Sequence, residues 1–139
     1  MTEPLYTTEI LRLAASLDEP QALEREDGRA DVTSRTCGSR ISLAVQLDNE
    51  RRVERLSMRV HACAFGQASA ALLQRSAVGR RRDNVEQALR ELGDWLSGAD
   101  VALSWPGLDA LAPARPKAGR HGAILLPFRA LLAAFEDVR

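Results

Sequence analysis

Apolar and polar residues alternate along two stretches of this chain, as they do in half-buried β-strands. Every second residue from 41 to 47 is a large aliphatic, and the same pattern returns from 56 to 60 after a turn at 48–50. A weaker strand is expected over 29–36. Because the connections between these stretches are short, the three strands predict an antiparallel meander.

Residues with helical spacing lie on both sides of the strands. An apolar stripe predicts a first helix within 5–17, and an alanine-rich stretch predicts a second helix over 64–78. A third helix is expected from about 83 to 97, where Asp83 or Asn84 can cap the first turn.

The C-terminal part of the chain is expected to hold a loop and one more helix. Prolines and glycines from 106 to 119 predict a surface loop with one short helical turn at 108–111. Apolar residues at helical spacing from 124 to 135 predict a final helix that packs on the sheet. Pro127 fits that helix only in its first turn, because proline has no N–H to donate.

The composition indicates one compact domain without a general attraction to charged partners. With 139 residues and 45% hydrophobic content, the chain can bury a core, and we expect a single domain spanning 1–139. Nineteen basic and nineteen acidic side chains cancel, which argues against nucleic acid or a membrane surface as a partner. A cytoplasmic location is expected, since there is neither a leader pattern nor a run of about 18 apolar residues.

The chain has only two cysteines, and both are expected at positions where a thiol can bind metal or react. Cys37 is expected in the turn between the first two strands, and Cys63 where the third strand gives way to a helix. Both thiols could therefore lie at one rim of the sheet. Unpaired N–H groups at a helix start stabilise a thiolate, the form that binds metal or attacks sulfur. In a reducing cytoplasm a lasting disulfide is not expected, so metal or redox chemistry is favoured, with inert core thiols as the alternative.

Four segments of the chain carry a family likeness. They are Leu5-Tyr6 ahead of the first helix, Thr36-Cys37-Gly38-Ser39 between strands, His61-Ala62-Cys63 before a small-residue helix, and Arg120 to Leu131 near the end. In these segments the chain resembles the N-terminal scaffold domain of NifU and its relatives IscU and SufU, proteins of iron–sulfur cluster assembly. The last segment is similar to the closing pattern of the SufU branch.

The resemblance implies both a fold and a function. The fold is α+β, a three-stranded antiparallel sheet with helices packed on one face. The function is that of a scaffold, not an enzyme, which takes sulfur from a cysteine desulfurase, gathers iron and passes the cluster to acceptor proteins.

The resemblance also implies a metal site, of which this chain keeps only part. The family uses three cysteines and an aspartate. Cys37 and Cys63 carry over, whereas Ser39 stands at the aspartate position and Ala123 at the third cysteine. A [2Fe–2S] cluster, iron or zinc prefers about four donors, so two thiolates form an incomplete shell.

The chain's only two histidines are weaker candidates for the missing ligands. His61 lies two residues before Cys63 and would share its face if the strand continued that far. His121 lies two residues before Ala123, in a loop or at the start of the last helix.

Three functions follow from the sequence. The first is a scaffold-like protein that accepts sulfur and binds iron or zinc through Cys37 and Cys63. The second is a degenerate relative that docks to the assembly machinery without metal. A thiol enzyme is disfavoured because no base of fixed geometry is visible and hydrolase and nucleotide motifs are absent. The sequence does not fix the metal or the oligomeric state.

Overall fold

The computed structural model describes residues 6–35 and 37–138. Its elements, in chain order, are α1 (Thr8–Ala15), β1 (Gly28–Thr33), β2 (Arg40–Leu47), β3 (Val53–His61), α2 (Ala64–Ser76), α3 (Arg82–Leu96), a 3₁₀ helix (Leu108–Ala114) and α4 (Ala118–Glu136). Leu5 and Thr36, which contribute to the family likeness, lie outside the described residues.

The three strands form an antiparallel sheet in the order β1-β2-β3, as the sequence predicts. The prediction for β1 was too long, because Ser34 and Arg35 lie in the following turn rather than in the strand. The backbone N–H of Ser34 donates to the carbonyl of Ser39 at 2.8 Å, which closes that turn.

The helices pack on one face of the sheet, which confirms the α+β prediction. The aliphatic side chains of β2 and those of Leu56 and Met58 in β3 are buried in the core. Helix α4 lies against β1 and β2, and α2 lies against β3, while α1 packs on α2 and α3 packs on α4. At Gly28 the carbonyl of Ala134 would lie only 2.0 Å from an added Cβ, so α4 approaches β1 at backbone distance.

The segment 18–27 crosses the opposite face of the sheet. The Gln21 N–H donates to the Ser57 hydroxyl at 3.0 Å, and the Glu24 N–H donates to the side-chain oxygen of buried Gln46 at 3.1 Å. This segment covers the half of the outer face that lies towards the β2–β3 turn.

The C-terminal part differs from the prediction in two respects. The helical turn expected at 108–111 is present as the start of a 3₁₀ helix, but its Leu108, Leu111 and Ala114 are buried rather than part of a surface loop. Their spacing of three residues matches the repeat of a 3₁₀ helix, which presents them on one side.

Helix α4 begins at Ala118, so Pro127 lies in its middle rather than in its first turn. Proline withholds one hydrogen bond from the preceding turn. There the buried Ser69 of α2 donates its hydroxyl proton to the Ile124 carbonyl at 2.6 Å. Pro127 leaves the carbonyl of Ala123, four residues before it, without its helical donor. The Ser69 bond to Ile124 therefore joins α2 to α4 and does not replace the missing bond.

Candidate functional site

The register of the sheet places the two cysteines at the same end. Arg40, the first residue of β2, pairs with Thr33 at the end of β1 and with His61 at the end of β3. Cys37 lies in the β1–β2 turn, and Cys63 follows β3 by two residues. We call this end of the sheet, defined by the row Thr33, Arg40 and His61, the cysteine end.

Cys37 is presented to solvent by a closed turn. The Gly38 N–H donates to the Ser34 carbonyl at 2.9 Å, and Gly38 takes a φ of 72°, which glycine adopts without strain. Ser39 is buried, whereas Cys37 is exposed. The Cys37 Sγ lies 3.0 Å from the Ser39 hydroxyl.

The surroundings of Cys37 favour its thiolate. Partial burial alone would raise the pKa of the thiol. Hydrogen bonds from the Ser34 and Ser39 side chains and from the Ser39 backbone outweigh that effect, and the Arg120 guanidinium adds to them, so the pKa of Cys37 is lowered from its usual value. An exposed thiol with a lowered pKa is the arrangement found in reactive cysteines.

Cys63 is the N-cap residue of α2. Its backbone is extended, with φ −67° and ψ 174°, and its carbonyl accepts the N–H of Gln67 at 2.9 Å. The residue is half-buried and packs against the hydrophobic core. The sequence prediction that Cys63 lies where a strand gives way to a helix is confirmed.

Ala123, where the resemblance places the family's third cysteine, lies next to the start of α2. A Cβ added at Gly66 would lie 2.7 Å from the Ala62 Cβ and 3.3 Å from both the Cβ and the carbonyl oxygen of Ala123. Ala123 is fully buried. Close packing of α4 on α2 therefore brings Ala123 to the helix turn that Cys63 begins, and Arg120 in the same helix is near enough to help lower the pKa of Cys37.

The two histidines take different places. His61 is exposed and ends β3, so strand alternation does not extend to Cys63, which packs against the core. His121 is half-buried in the first turn of α4, and its Nε2 donates to the carbonyls of Ala114 and Arg115 at 3.0 and 2.9 Å. These two contacts occupy Nε2 and leave Nδ1 as the ring nitrogen of His121 that could bind a metal.

The donor set for a metal is incomplete within the described residues. No group of three or more histidine, cysteine, aspartate or glutamate side chains converges in the ranges 6–35 and 37–138. Ser39 offers a hydroxyl and Ala123 offers no donor. Cys37 and Cys63 alone do not fit the four-donor shell that zinc or a [2Fe–2S] cluster takes.

Sequence reasoning missed two groups that act on Cys37. Ser34 precedes a tight turn, where serine commonly bonds to nearby groups, and that signal could have identified it. Arg120 is distant along the chain and belongs to another element, so only the packing of α4 reveals its effect on Cys37.

Comparisons with known proteins agree with this architecture. The family model described as NifU-like N terminal domain matches residues 5–101. A crystal structure of a nitrogen-fixing NifU-like protein (N-terminal) from Brucella abortus is 26% identical, with a TM-score of 0.86 over 96% of this chain and 93% of that chain. The comparison with curated proteins found no match.

A second solved structure shares the fold at lower identity. It is FiSufU from the thermophilic Fervidobacterium islandicum AW-1, assigned as an iron–sulfur cluster assembly scaffold protein for the SUF system. It is 17% identical, with a TM-score of 0.83 over 94% of this chain and 96% of that chain. The family match extends over most of the sequence and includes both cysteines, and this chain therefore belongs to the NifU-like N-terminal domain family.

Proposed function

We propose that this protein accepts sulfur in iron–sulfur cluster assembly, with Cys37 as the acceptor thiol and Cys63 as the second thiolate of the site. The observation that supports this most is Cys37 itself, an exposed thiol whose pKa is lowered by Ser34, Ser39 and Arg120. Family membership supplies the context, and a cysteine desulfurase is the proposed sulfur donor.

The transfer would be a thiol–persulfide exchange. The Cys37 thiolate attacks the outer sulfur of the donor's persulfide, and the sulfur–sulfur bond of the donor breaks. A new persulfide forms on Cys37, while the donor's cysteine leaves as a thiolate. The outer sulfur passes between two thiols, so the step needs no external oxidant or reductant.

The second part of the proposal is that the two cysteines bind metal. Cys37 and Cys63 would supply two thiolate ligands to iron, zinc or a nascent cluster, and His61 and His121 are weaker candidates from this chain. Because the described residues offer no complete shell, a metal held here would take its remaining ligands from solvent or from a partner. Such open coordination suits transfer to an acceptor protein better than storage.

The sulfur-acceptor proposal is tested with the cysteine desulfurase of the source organism and free cysteine. Intact-mass spectrometry should show the gain of one sulfur atom on the wild-type chain. The Cys37→Ser variant should lose this gain, whereas Cys63→Ser should keep it. A persulfide that forms only on Cys63, or on neither cysteine, would contradict the proposal.

A second candidate function is docking to the assembly machinery without metal. Ser39 and the buried Ala123 favour it, since both positions lack the donor that the family's site requires. Zinc and iron contents after purification in chelator-free buffer separate the two candidates. Metal that both Cys→Ser variants lose would support ligation, and a metal-free chain would support docking.

A further inference from the structure

The described residues leave the outer face of the sheet exposed at the cysteine end. Two rows of residues lie there, namely Thr33, Arg40 and His61 at the end and Asp31, Ser42 and Arg59 next to it. All of them except Ser42 are exposed. The segment 18–27 crosses the following rows, around Ser57 and Gln46, and borders the nearer of these two rows at a groove lined by Ser42 and Arg59.

Three exposed arginines lie on this area or next to it. Arg40 and Arg59 lie on the two rows, and Arg35 lies in the adjoining turn, two residues before Cys37. We call these three residues the arginine patch.

The arginine patch is free of ion pairs within the described part of the chain. The ion pairs there involve six other arginines. Arg25 lies in the 18–27 segment, Arg29 in β1 and Arg52 in the β2–β3 turn, and the remaining three lie at the start of α3 or within it, namely Arg81, Arg82 and Arg90. Although the chain has no net charge, three arginines without an ion-pair partner among the described residues lie at the end of the sheet that carries Cys37.

One carboxylate lies on these rows, and it is already engaged. Asp31 accepts a hydrogen bond from the Ser42 hydroxyl and lies 4.0 Å from the Arg29 guanidinium. It therefore offsets only part of the charge, and the patch keeps a net positive character.

We propose that the arginine patch docks a carboxylate-rich surface of the sulfur-donor protein and so brings the donor's persulfide to Cys37. This inference rests on the proposed function. Guanidinium groups bind carboxylates in a bidentate geometry, and unpaired charges around a small site raise the rate of encounter with a partner of opposite charge.

A groove of about 350 Å³ adjoins the arginine patch, between residues 20–23 and the sheet. Ser42, Ala44 and Ser57 form its floor, and the paired side chains of Glu26 and Arg29 also line it. Arg59 lines this groove as well as belonging to the patch, so a partner segment could cross from one to the other. Three arginines on a neutral chain favour an acidic protein surface over nucleic acid, whose binding relies on many phosphate contacts.

The test compares two double charge reversals. Arg40→Glu/Arg59→Glu alters the patch, and Arg12→Glu/Arg129→Glu is the matched control, since both of its arginines are exposed on helices and form no ion pair within the described residues. Binding of the source organism's desulfurase is measured by calorimetry at low and at moderate salt, with duplex DNA as a second probe. Persulfide on Cys37 is measured in the same samples.

The patch variant should bind the desulfurase at least tenfold more weakly than wild type, the control should bind as wild type does, and added salt should reduce the difference. Equal binding by all three chains, no binding by wild type, or a patch-dependent affinity for DNA that exceeds that for the desulfurase would overturn the proposal. Patch-dependent binding without persulfide on Cys37 would support docking and refute sulfur acceptance, so the two failures are distinguishable.

Discussion

At the scale of single residues, the site depends on the contrast between its two cysteines. Cys37 is exposed in a turn whose serines bond to it, whereas Cys63 begins a helix and packs against the core. Solvent and a partner protein can reach the first thiol more readily than the second. Chemistry at this site should therefore begin at Cys37.

The pH dependence of alkylation tests that contrast. Because the pKa of Cys37 is lowered, its thiolate is present at lower pH than that of a free cysteine, whose pKa is about 8.5. The iodoacetamide rate of the Cys63→Ser variant should thus rise with pH, with its midpoint below that of a free cysteine. Adding Ser34→Ala and Ser39→Ala should move the midpoint upward. An unshifted midpoint would mean that the serines do not stabilise the thiolate.

Restoring the missing donors tests the incomplete ligand set. Ser39 contacts Cys37, and Ala123 lies beside the turn that Cys63 begins, so Ser39→Asp/Ala123→Cys would give the family's four donors at one end of the sheet. We expect this variant to bind about one zinc per chain, the four-donor stoichiometry of a structural site, and more tightly than wild type. Zinc titration against a chromogenic chelator measures the difference.

Circular dichroism of the same variant checks that it is folded. Ser39→Asn/Ala123→Ser is the control, because it changes the same positions without adding a carboxylate or a thiolate. A folded double variant that binds no more zinc than this control would show that the four positions do not converge.

At the scale of elements, the site depends on how closely α4 packs on α2. Gly66 allows that approach, because a Cβ there would lie 3.3 Å from both the Cβ and the carbonyl oxygen of Ala123 in α4, and 2.7 Å from the Ala62 Cβ. Ala62 precedes Cys63, so a shift at this contact would also displace the second thiol.

Glycine-to-alanine substitutions in two helices test this packing. Gly66→Ala should lower the free energy of unfolding by roughly 1 kcal/mol or more, since overpacking outweighs the gain in helix propensity. Gly93→Ala in α3 meets nothing within 4 Å and should raise it by about 0.5–1 kcal/mol. Urea unfolding of both variants measures the two effects. If both variants gain stability, the close approach of α4 to α2 is not as described.

Element prediction succeeded where the signal is local. The period-two pattern of 41–47 and the strand-like run at 56–60 identify β2 and β3, because strand pairing buries alternate residues. It failed at Pro127, which lies buried in the middle of α4 and not in its first turn. The burial of this residue depends on packing against other elements, which a local pattern does not show.

At the scale of the whole molecule, the ends of the sheet differ in charge. At the end near the β2–β3 turn the arginines form ion pairs, such as Arg52 with Asp48 and Arg81 with Glu50. The cysteine end has arginines without carboxylate partners among the described residues. The total charge of zero does not show this difference between the two ends, which becomes visible only when the residues are placed on the fold.

The sequence located the candidate site but not its surroundings. The positions of Cys37 and Cys63 at one end of the sheet follow from strand order and short connections. The effect of Arg120 on Cys37 and the closeness of Ala123 to α2 depend on tertiary packing. No helix in the described ranges is long and apolar enough to cross a bilayer. The cytoplasmic location and the single domain over 1–139 stay predictions.

Peptide mapping after one turnover of the source organism's desulfurase shows directly whether Cys37 receives sulfur from a partner protein. Persulfides are trapped with an alkylating reagent, digested and located by mass spectrometry. We expect the extra sulfur on the peptide containing Cys37, at a level that Cys63→Ser leaves unchanged. Sulfur found on the Cys63 peptide alone, or on neither peptide while the desulfurase turns over, would contradict it.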